Sequence, residues 1–261
     1  MKARMGLLLL AGISIVSIFA PALAPQDPLT LNVPARFQPP GAGHWLGTDE
    51  FGRDVLSRLL YGGRVSLLVA GSAVMVAAIV GTACGLVAGF SGGWLDHLAL
   101  LAADVILAFP GILLALLLVA LAGPSLAALV VSISIIYTPI FLRLVRNLTL
   151  HLREADFVLA CRLLGVRRRI VLFGEIFPNV IAPVAAQAVT CFGWALIAET
   201  ALSFLGLGAQ PPAPSWGSML ASARDYLDFS ASNAIVPACA IFLTVWAANR
   251  TAQDLQKERV E

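Results

Sequence analysis

The chain has 261 residues, of which 59% are hydrophobic and 12% are charged, and its formal net charge is +2. A soluble domain has about a quarter of its residues charged and could not bury this much apolar surface in one core. The composition therefore indicates a membrane protein, and it shows no basic surface of the kind that binds nucleic acid.

Several classes of chemistry are excluded by the residues themselves. The only lysines, Lys2 and Lys257, do not follow a glycine-rich loop, so the chain has no phosphate-binding P-loop. The three histidines fit no zinc-protease or facial-triad spacing, and no Gly-x-Ser-x-Gly elbow is present. The four cysteines are far apart and suit a packing role. We therefore predict no catalytic residue, no metal site and no cofactor bound by this chain.

The first apolar segment, residues 5–23, follows Lys2 and Arg4. It can be a membrane helix, but a basic start, an apolar centre and Ala22-Leu23-Ala24 also describe a cleavable signal peptide. The residues alone leave both interpretations open. Residues 24–64, which come next, are polar and rich in proline and glycine, and they predict an external segment.

Five further spans are predicted from the later apolar runs, because a helix needs about 20 apolar residues to cross the bilayer. The uncharged stretch 105–142 is too long for one span and divides at Ala122–Ser125. A kink is expected at Phe109-Pro110-Gly111. The predicted spans are 65–90, 98–121, 126–143, 180–206 and 233–249, which makes six with the first. The expected division is an N-terminal helix 1–23, an external segment 24–64, a core 65–250 that contains a loop 143–179, and a tail 251–261.

The basic residues predict the orientation. With the N-terminus in the cytoplasm, the inside segments carry 12 of the 17 Lys and Arg residues. This distribution follows the positive-inside rule and places both termini in the cytoplasm. The dense run Arg167-Arg168-Arg169 then serves first to hold its loop inside.

Small and charged residues within the spans carry further predictions. Gly81, Gly85 and Gly89 lie four apart and predict close approach of another helix. Asp104 and Glu199 are carboxylates in apolar runs; each can line a pathway or form a structural hydrogen bond. The candidate pathway or gate residues are Asp104, Glu199, Ser203 and Phe204.

The segment 143–179 predicts two short amphipathic helices joined at Gly165. In the first, 153–164, helical spacing puts one set of side chains on one face. Those residues are Phe157, Ala160, Cys161 and Leu164, with Arg153, Asp156 and Arg162 largely off it. The second, Ile170–Phe177, is expected to end at Pro178-Asn179. This segment is either a docking surface or a solvated loop.

Three motifs carry a resemblance to a known family. They are His44–Arg58, the stretch from Thr200 to Gly217 with Pro211-Pro212 inside it, and Phe157–Asn179. In this order they resemble the dipeptide, oligopeptide and nickel permease family of ABC importers, in its second-permease branch. The resemblance covers nearly the whole chain.

The resemblance implies an all-α membrane protein with six helices in the type I ABC importer permease fold, located in the inner membrane with its first helix retained. It implies a second homologous permease, two ATP-binding subunits that hold ATP–Mg, and a periplasmic or lipid-anchored solute-binding protein, with lipid around the spans. Alternating access would be driven through a cytoplasmic coupling helix. The implied coupling residues are Arg153, Phe157, Ala160, Cys161, Leu164, Gly165, Pro178 and Asn179.

The external motif has a physical interpretation beside the implied one. Between Gly47 and Arg58 the chain places acids and arginines close together, which predicts internal ion pairs and a helix cap near Asp54. The competing hypothesis is docking of the solute-binding protein; both can hold. The candidate rim residues are Gly47, Asp49, Gly52, Arg53, Asp54 and Trp216, with Trp216 expected to anchor at the membrane interface.

Some residues depart from the family pattern. Leu159 stands where a glutamate is usual, Cys161 where alanine is usual, and Glu175 where histidine is frequent, so the polar contact of that glutamate is not carried over. The tail after Asn249 also departs. Substrate alternatives within the same architecture are nickel chelates and opines. The rival classes are an ion-coupled secondary transporter that uses Asp104 or Glu199, and a membrane enzyme or assembly factor, for which no catalytic set is visible.

Overall fold

The computed structural model describes residues 5–257. Within that range the chain forms helices and loops, with one isolated antiparallel bridge between Thr48 and Asp54. The α-helices are α1 (Met5–Ile18), α2 (Ala20–Leu23), α3 (Val55–Ser91), α4 (Gly93–Leu107), α5 (Gly111–Ala122), α6 (Leu126–Arg153), α7 (Asp156–Leu163), α8 (Arg168–Ile170), α9 (Phe177–Phe204), α10 (Trp216–Arg224) and α11 (Ser232–Lys257). A 3₁₀-helix covers Val33–Ala35, and a π-helical turn covers Val171–Ile176.

Within residues 5–257, four helical runs are long and apolar enough to cross a membrane: α3, α6, Arg168–Phe204 and Ser232–Leu255 within α11. The pair α4 and α5 makes a fifth candidate, bent by 90° at the break between them. Helix α1 is apolar but has only 14 residues. The helical membrane fold is therefore confirmed, whereas the count of six spans stays a prediction. Residues 1–4 of the predicted N-terminal helix 1–23 and residues 258–261 of the predicted tail 251–261 lie outside the described residues.

The bend between α4 and α5 falls at the kink expected from the sequence. Pro110 is the residue that caps α5, and Gly111 begins it. Because proline has no N–H and restricts the residue before it, the helix cannot continue through this point. The expected kink is therefore confirmed, and it is sharp enough to divide the predicted span 98–121 into two helices, α4 and α5, that meet at 90°.

The helix boundaries differ from the predicted spans mainly at the ends facing water. Helix α3 begins at Val55 instead of 65, and α6 continues to Arg153 instead of 143. Hydropathy finds only the part of a helix that lipid surrounds, and polar extensions such as Ser57 and Arg58 are buried by other protein segments instead. The prediction of a separate second helix over Ile170–Phe177 is also wrong. Its residues continue into α9 through the π-helical turn that precedes Pro178.

The most extensive helix packing among the described residues joins α3 to α6. A Cβ atom on Gly81 would lie 2.6 Å from the Cβ of Phe141, and one on Gly85 would lie 2.6 Å from the carbonyl oxygen of Leu142. A Cβ atom on Gly89 would lie 2.7 Å from the carbonyl oxygen of Arg146. The predicted packing role of these glycines is confirmed, and α6 is the neighbour that the sequence could not name. The main apolar core extends from this crossing to α9.

Candidate functional site

Helix α7 lies between α6 and the run Arg168–Phe204. Its buried side chain is Val158, which packs in a small apolar cluster with Val145 of α6 and with Val171. Cys161 packs against the same cluster. The prediction that the helix starts at Arg153 is wrong, because Arg153 is the last residue of α6 and donates to the carbonyl oxygen of Gly89 over 3.2 Å.

The opposite side of α7 is apolar and exposed. Leu163, the last residue of α7, is 89% exposed, and Leu164, which directly follows the helix, is 82% exposed. Phe157 and Leu159 are also exposed, and so is Ala160. The structure thus brings together three of the four predicted face residues, with Cys161 on the packed side. It adds Leu163, which the sequence analysis missed although it lies four residues after Leu159 and shares its helix face.

Gly165 ends α7 in a left-handed conformation with φ +75°. The amide of Val166 donates to the carbonyl oxygen of Cys161 over 3.0 Å, which is the six-to-one bond of a Schellman cap. A Cβ atom on Gly165 would meet nothing within 4 Å, so the requirement for glycine comes from the backbone conformation and not from crowding. The glycine sets the angle at which the chain leaves the exposed leucines.

Pro178 and Asn179 lie farther along, in the first turn of α9, and both are exposed. The side-chain amide of Asn179 donates to the carbonyl oxygen of Glu175 over 2.6 Å. This bond satisfies a backbone acceptor beside the π-helical turn, where the regular pattern is interrupted. These two residues therefore shape the helix that returns from the loop.

Two ion pairs join α4 to α6 near the loop. The guanidinium of Arg146 donates to both carboxylate oxygens of Asp96, over 2.8 Å and 2.5 Å. Arg143 pairs with Asp104. The sequence analysis placed Asp96 in a break between spans and named no partner for Asp104, because residues so far apart in the chain show no pairing signal. Asp104 has a structural partner, and its role in a pathway stays a prediction.

Glu199 is fully buried between α9, α3 and α10. Its Oε1 accepts a hydrogen bond from Ser203 over 2.7 Å. Close by, the amide of Trp216 donates to the hydroxyl of Ser66 over 3.2 Å. Phe204, one residue after Ser203, lies with its ring centre 5.9 Å from the guanidinium of Arg224. The candidate gate residues therefore join the end of α9 to α10, and the gate role itself stays a prediction.

The rim, defined here as residues 24–54 together with the start of α3, contains a buried charge cluster. Asp49, which is 5% exposed, accepts from Arg53 Nε over 2.6 Å and lies 3.2 Å from Arg58 Nε. Arg53 also donates to Glu50 over 2.9 Å. The predicted internal ion pairs are confirmed.

The predicted helix cap is also present in the rim. Asp54 accepts from the amide of Ser57 over 2.8 Å and caps α3, while His44 Nδ1 lies 3.0 Å from the same carboxylate. Gly47 and Gly52 have φ of +81° and +74°. Glycine is therefore required at both turns that fold this segment on itself.

Trp216 is not an interfacial anchor, and that prediction is wrong. The side chain is 2% exposed, and its indole nitrogen donates to the carbonyl oxygen of Leu59 over 2.9 Å. A Cβ atom on Gly63 would lie 2.8 Å from the indole ring, so a glycine on α3 makes room for it. The large apolar side chains exposed on the rim are others: Leu29, Leu31, Val33, Trp45 and Phe51.

Comparison with known proteins decides the family. Residues 81–253 match the family model described as "Binding-protein-dependent transport system inner membrane component". The chain belongs to this family. Its helical architecture is the type I ABC importer permease fold, and the chain is a multi-pass inner-membrane component.

Relatives of this permease are similar over most of their length. A dipeptide transport system permease protein of Alkalihalophilus pseudofirmus is 42% identical over 97% of the chain and 84% of the relative. A di/tripeptide transport system permease protein of Pseudomonas aeruginosa is 40% identical over 96% of the chain and 85% of the relative. A glutathione transport system permease protein of Pectobacterium atrosepticum is 42% identical over 83% of the chain and 72% of the relative.

Proposed function

We propose that this permease is one of two permease subunits in an ATP-driven importer of dipeptides, oligopeptides or related small solutes. The observation that carries the proposal is the 42% identity over 97% of the chain to a dipeptide permease. Each subunit would form half of the pathway, which opens alternately to the two sides of the membrane. This chain would itself catalyse no reaction.

The exposed side of α7 supports a partnership with ATP-binding subunits. Because the sequence lacks a P-loop lysine, ATP–Mg would be bound by two partner subunits, and their movement would have to reach the spans through a contact. Leu163 and Leu164 present apolar surface to water, which is the state expected of an interface residue without its partner. An apolar helix face that fits a groove is a common docking mode.

The packing of α7 provides the mechanical connection. Val158 fixes the helix against Val145 of α6 and Val171 of the following run, so a displacement of α7 moves both. The ion pair between Arg146 and Asp96 passes the displacement of α6 on to α4. In this mechanism, closure of the ATP-binding subunits changes the packing of three membrane helices together.

The orientation follows from the same proposal. With both termini in the cytoplasm, α7 and Arg167-Arg168-Arg169 face the ATP-binding subunits, as the placement of basic residues predicts. The rim then faces outward, where the solute-binding protein delivers its cargo. The buried charge cluster of the rim supports a rigid platform, and the exposed Trp45 and Phe51 are the side chains that the delivering protein can contact.

The test is uptake in vesicles that contain the chain, its second permease, the ATP-binding subunits and the binding protein. We expect uptake of a labelled dipeptide that requires ATP on the cytoplasmic side of the membrane. This uptake should stop when the ATP-binding subunits are left out. Uptake that continues without them would support an ion-coupled carrier instead. A nickel chelate or an opine held by the purified binding protein would replace peptide as the cargo.

A further inference from the structure

A cavity of about 750 Å³ lies beside α3 at the edge of the rim. It borders the charge cluster, since the carbonyl oxygen of Pro28, one of its lining residues, accepts from Arg58 over 3.3 Å, and Glu199 is not part of its lining. One wall is α3, through Tyr61, Arg64, Val65 and Leu68, and the other is the chain from Pro21 to Leu29 that leads into the rim. Leu126 at the start of α6 and the Ala213-Pro214 loop complete the lining. Its volume falls within the range of about 300–1,000 Å³ that small-molecule sites have.

The cavity is on the outer side of α3 with respect to the bundle. The α3 residues that face the core in this region are Gly62, Ser66, Val69 and Ala73, on the opposite side of the helix from Arg64 and Leu68. Arg64 and Leu68 are both exposed. A molecule in the cavity would therefore touch the surroundings of the bundle and not its interior.

Arg64 has an unusual position for an arginine. It directly precedes the uncharged run 65–90, and it forms no hydrogen bond or ion pair with the described part of the chain. Asp27 lines the same cavity; its carboxylate accepts from the amide of Leu29 over 2.8 Å and does not pair with Arg64. The lining of the cavity thus contains the guanidinium of Arg64 and the carboxylate of Asp27, which do not pair with each other.

Polarity changes along the cavity in the direction of the membrane. Arg64 and Tyr61 lie at the water end of the apolar run, and Leu68 lies one helical turn deeper, near Leu126. With the span of α3 taken to begin at residue 65, as the hydropathy predicts, Arg64 is placed at the level of lipid headgroups and Leu68 at the level of the first acyl carbons. Charged groups at the water end and apolar groups at the deeper end match an amphiphile whose long axis is parallel to the bilayer normal.

We propose that this cavity is a binding site for a zwitterionic phospholipid of the phosphatidylethanolamine type. The phosphate accepts hydrogen bonds from the guanidinium of Arg64, and the ammonium group lies toward Asp27. The first part of an acyl chain follows Leu68 and Leu126. The bound lipid fills the space between α3 and the chain that enters the rim, and so supports the rim from its membrane side.

The test uses the complex of the full chain with its partner subunits, stripped of lipid in detergent and then incubated with phosphatidylethanolamine, phosphatidylglycerol and phosphatidylcholine. Native mass spectrometry counts the lipids that remain bound. We expect Arg64→Gln to lower retained phosphatidylethanolamine by about fivefold or more, because the charge-assisted hydrogen bonds to the phosphate are lost. Asp27→Asn should weaken retention of phosphatidylethanolamine and leave phosphatidylglycerol unchanged.

Arg224→Gln is the matched control, since Arg224 is an exposed arginine outside the cavity that pairs with Asp225. It should retain lipid as the unmodified chain does. Leu68→Trp keeps Arg64 and fills the part of the cavity that would hold the acyl chain, so it should also release the lipid. This variant tests the proposal if the Arg64→Gln complex does not assemble. Soluble phosphoethanolamine, which has no acyl chains, should not displace the lipid.

Equal retention of phosphatidylethanolamine by Arg64→Gln and by the unmodified chain would overturn the proposal. So would displacement of the lipid by phosphoethanolamine or by an added dipeptide, because the cavity would then be a site for a soluble ligand. Dissociation of the two permeases in Arg64→Gln and Leu68→Trp without any loss of lipid would identify the cavity as a subunit interface and equally contradict a lipid site.

Discussion

The rim and the α7 loop, defined as residues 154–167, differ in which side chains they bury: the rim buries charged side chains, and the α7 loop exposes apolar ones. The rim buries Asp49, Arg53 and Arg58, whose charges are balanced once the carboxylate of Glu50, paired with Arg53, is included. The loop exposes Leu163 and Leu164 to water, with Val158 as its buried contact. A buried and satisfied cluster is complete within the chain, whereas exposed leucines on a short helix need another molecule to cover them. The charge cluster of the rim therefore supports the fold, whereas the exposed leucines after Val158 are the surface that we propose for contact with the ATP-binding subunits.

The largest effect on stability is expected in the rim. Asp49→Ala leaves two buried arginines without their shared carboxylate and removes the acceptor of the Phe51 and Arg53 amides. Breaking a buried ion pair from one side costs about 3–5 kcal/mol. Thermal unfolding in detergent should therefore begin at a clearly lower temperature. Asp225→Ala, in an exposed pair with Arg224, should change stability by no more than about 1 kcal/mol. Equal effects of the two changes would contradict the role given to the rim cluster.

A pair of glycine substitutions separates backbone strain from function. Gly165 and Gly123 both have positive φ, and a Cβ atom on either would meet nothing within 4 Å. Gly165→Leu and Gly123→Leu should each cost about 1–3 kcal/mol and leave membrane insertion normal. Coupled uptake should be lost in the first and kept in the second, because Gly165 sets the angle of the α7 surface. If both retain uptake, the turn at Gly165 has no part in coupling.

The smallest effect on stability is expected at the exposed leucines. Leu163→Ser removes no buried contact, so the free energy of unfolding should change by about 0.5 kcal/mol or less. The amount of ATP-binding subunit that co-purifies with the permease should nevertheless fall. Leu31→Ser, an equally polar change on the rim, should leave that amount unchanged. Normal co-purification of the ATP-binding subunits with Leu163→Ser would show that this leucine is not part of the interface.

Local patterns in the sequence predicted a large part of the fold. Long uncharged runs located the spans, Pro110 located the bend, and the alternation of acids and arginines after Gly47 predicted the buried ion pairs. Each of these features depends on residues that are neighbours in the chain or follow from general limits on helices in lipid.

The features that the sequence did not predict depend on contacts between distant segments. Trp216 is buried because Gly63 and the Leu59 carbonyl lie beside it, about 150 residues earlier in the chain. The pairing of Asp96 with Arg146 has the same origin. On α7, helical spacing identified an apolar face, but which side is packed depends on where Val145 and Val171 lie in space.

The most direct test of the central claim is photo-crosslinking from a benzophenone amino acid placed at Leu163 or, for comparison, at Trp45, which is 69% exposed on the rim. Both variants are assembled with the full set of partner subunits in membranes. The account predicts an adduct between position 163 and the ATP-binding subunit, and no such adduct from position 45. An assembled, transporting complex in which position 163 gives no adduct with the ATP-binding subunit would contradict the account.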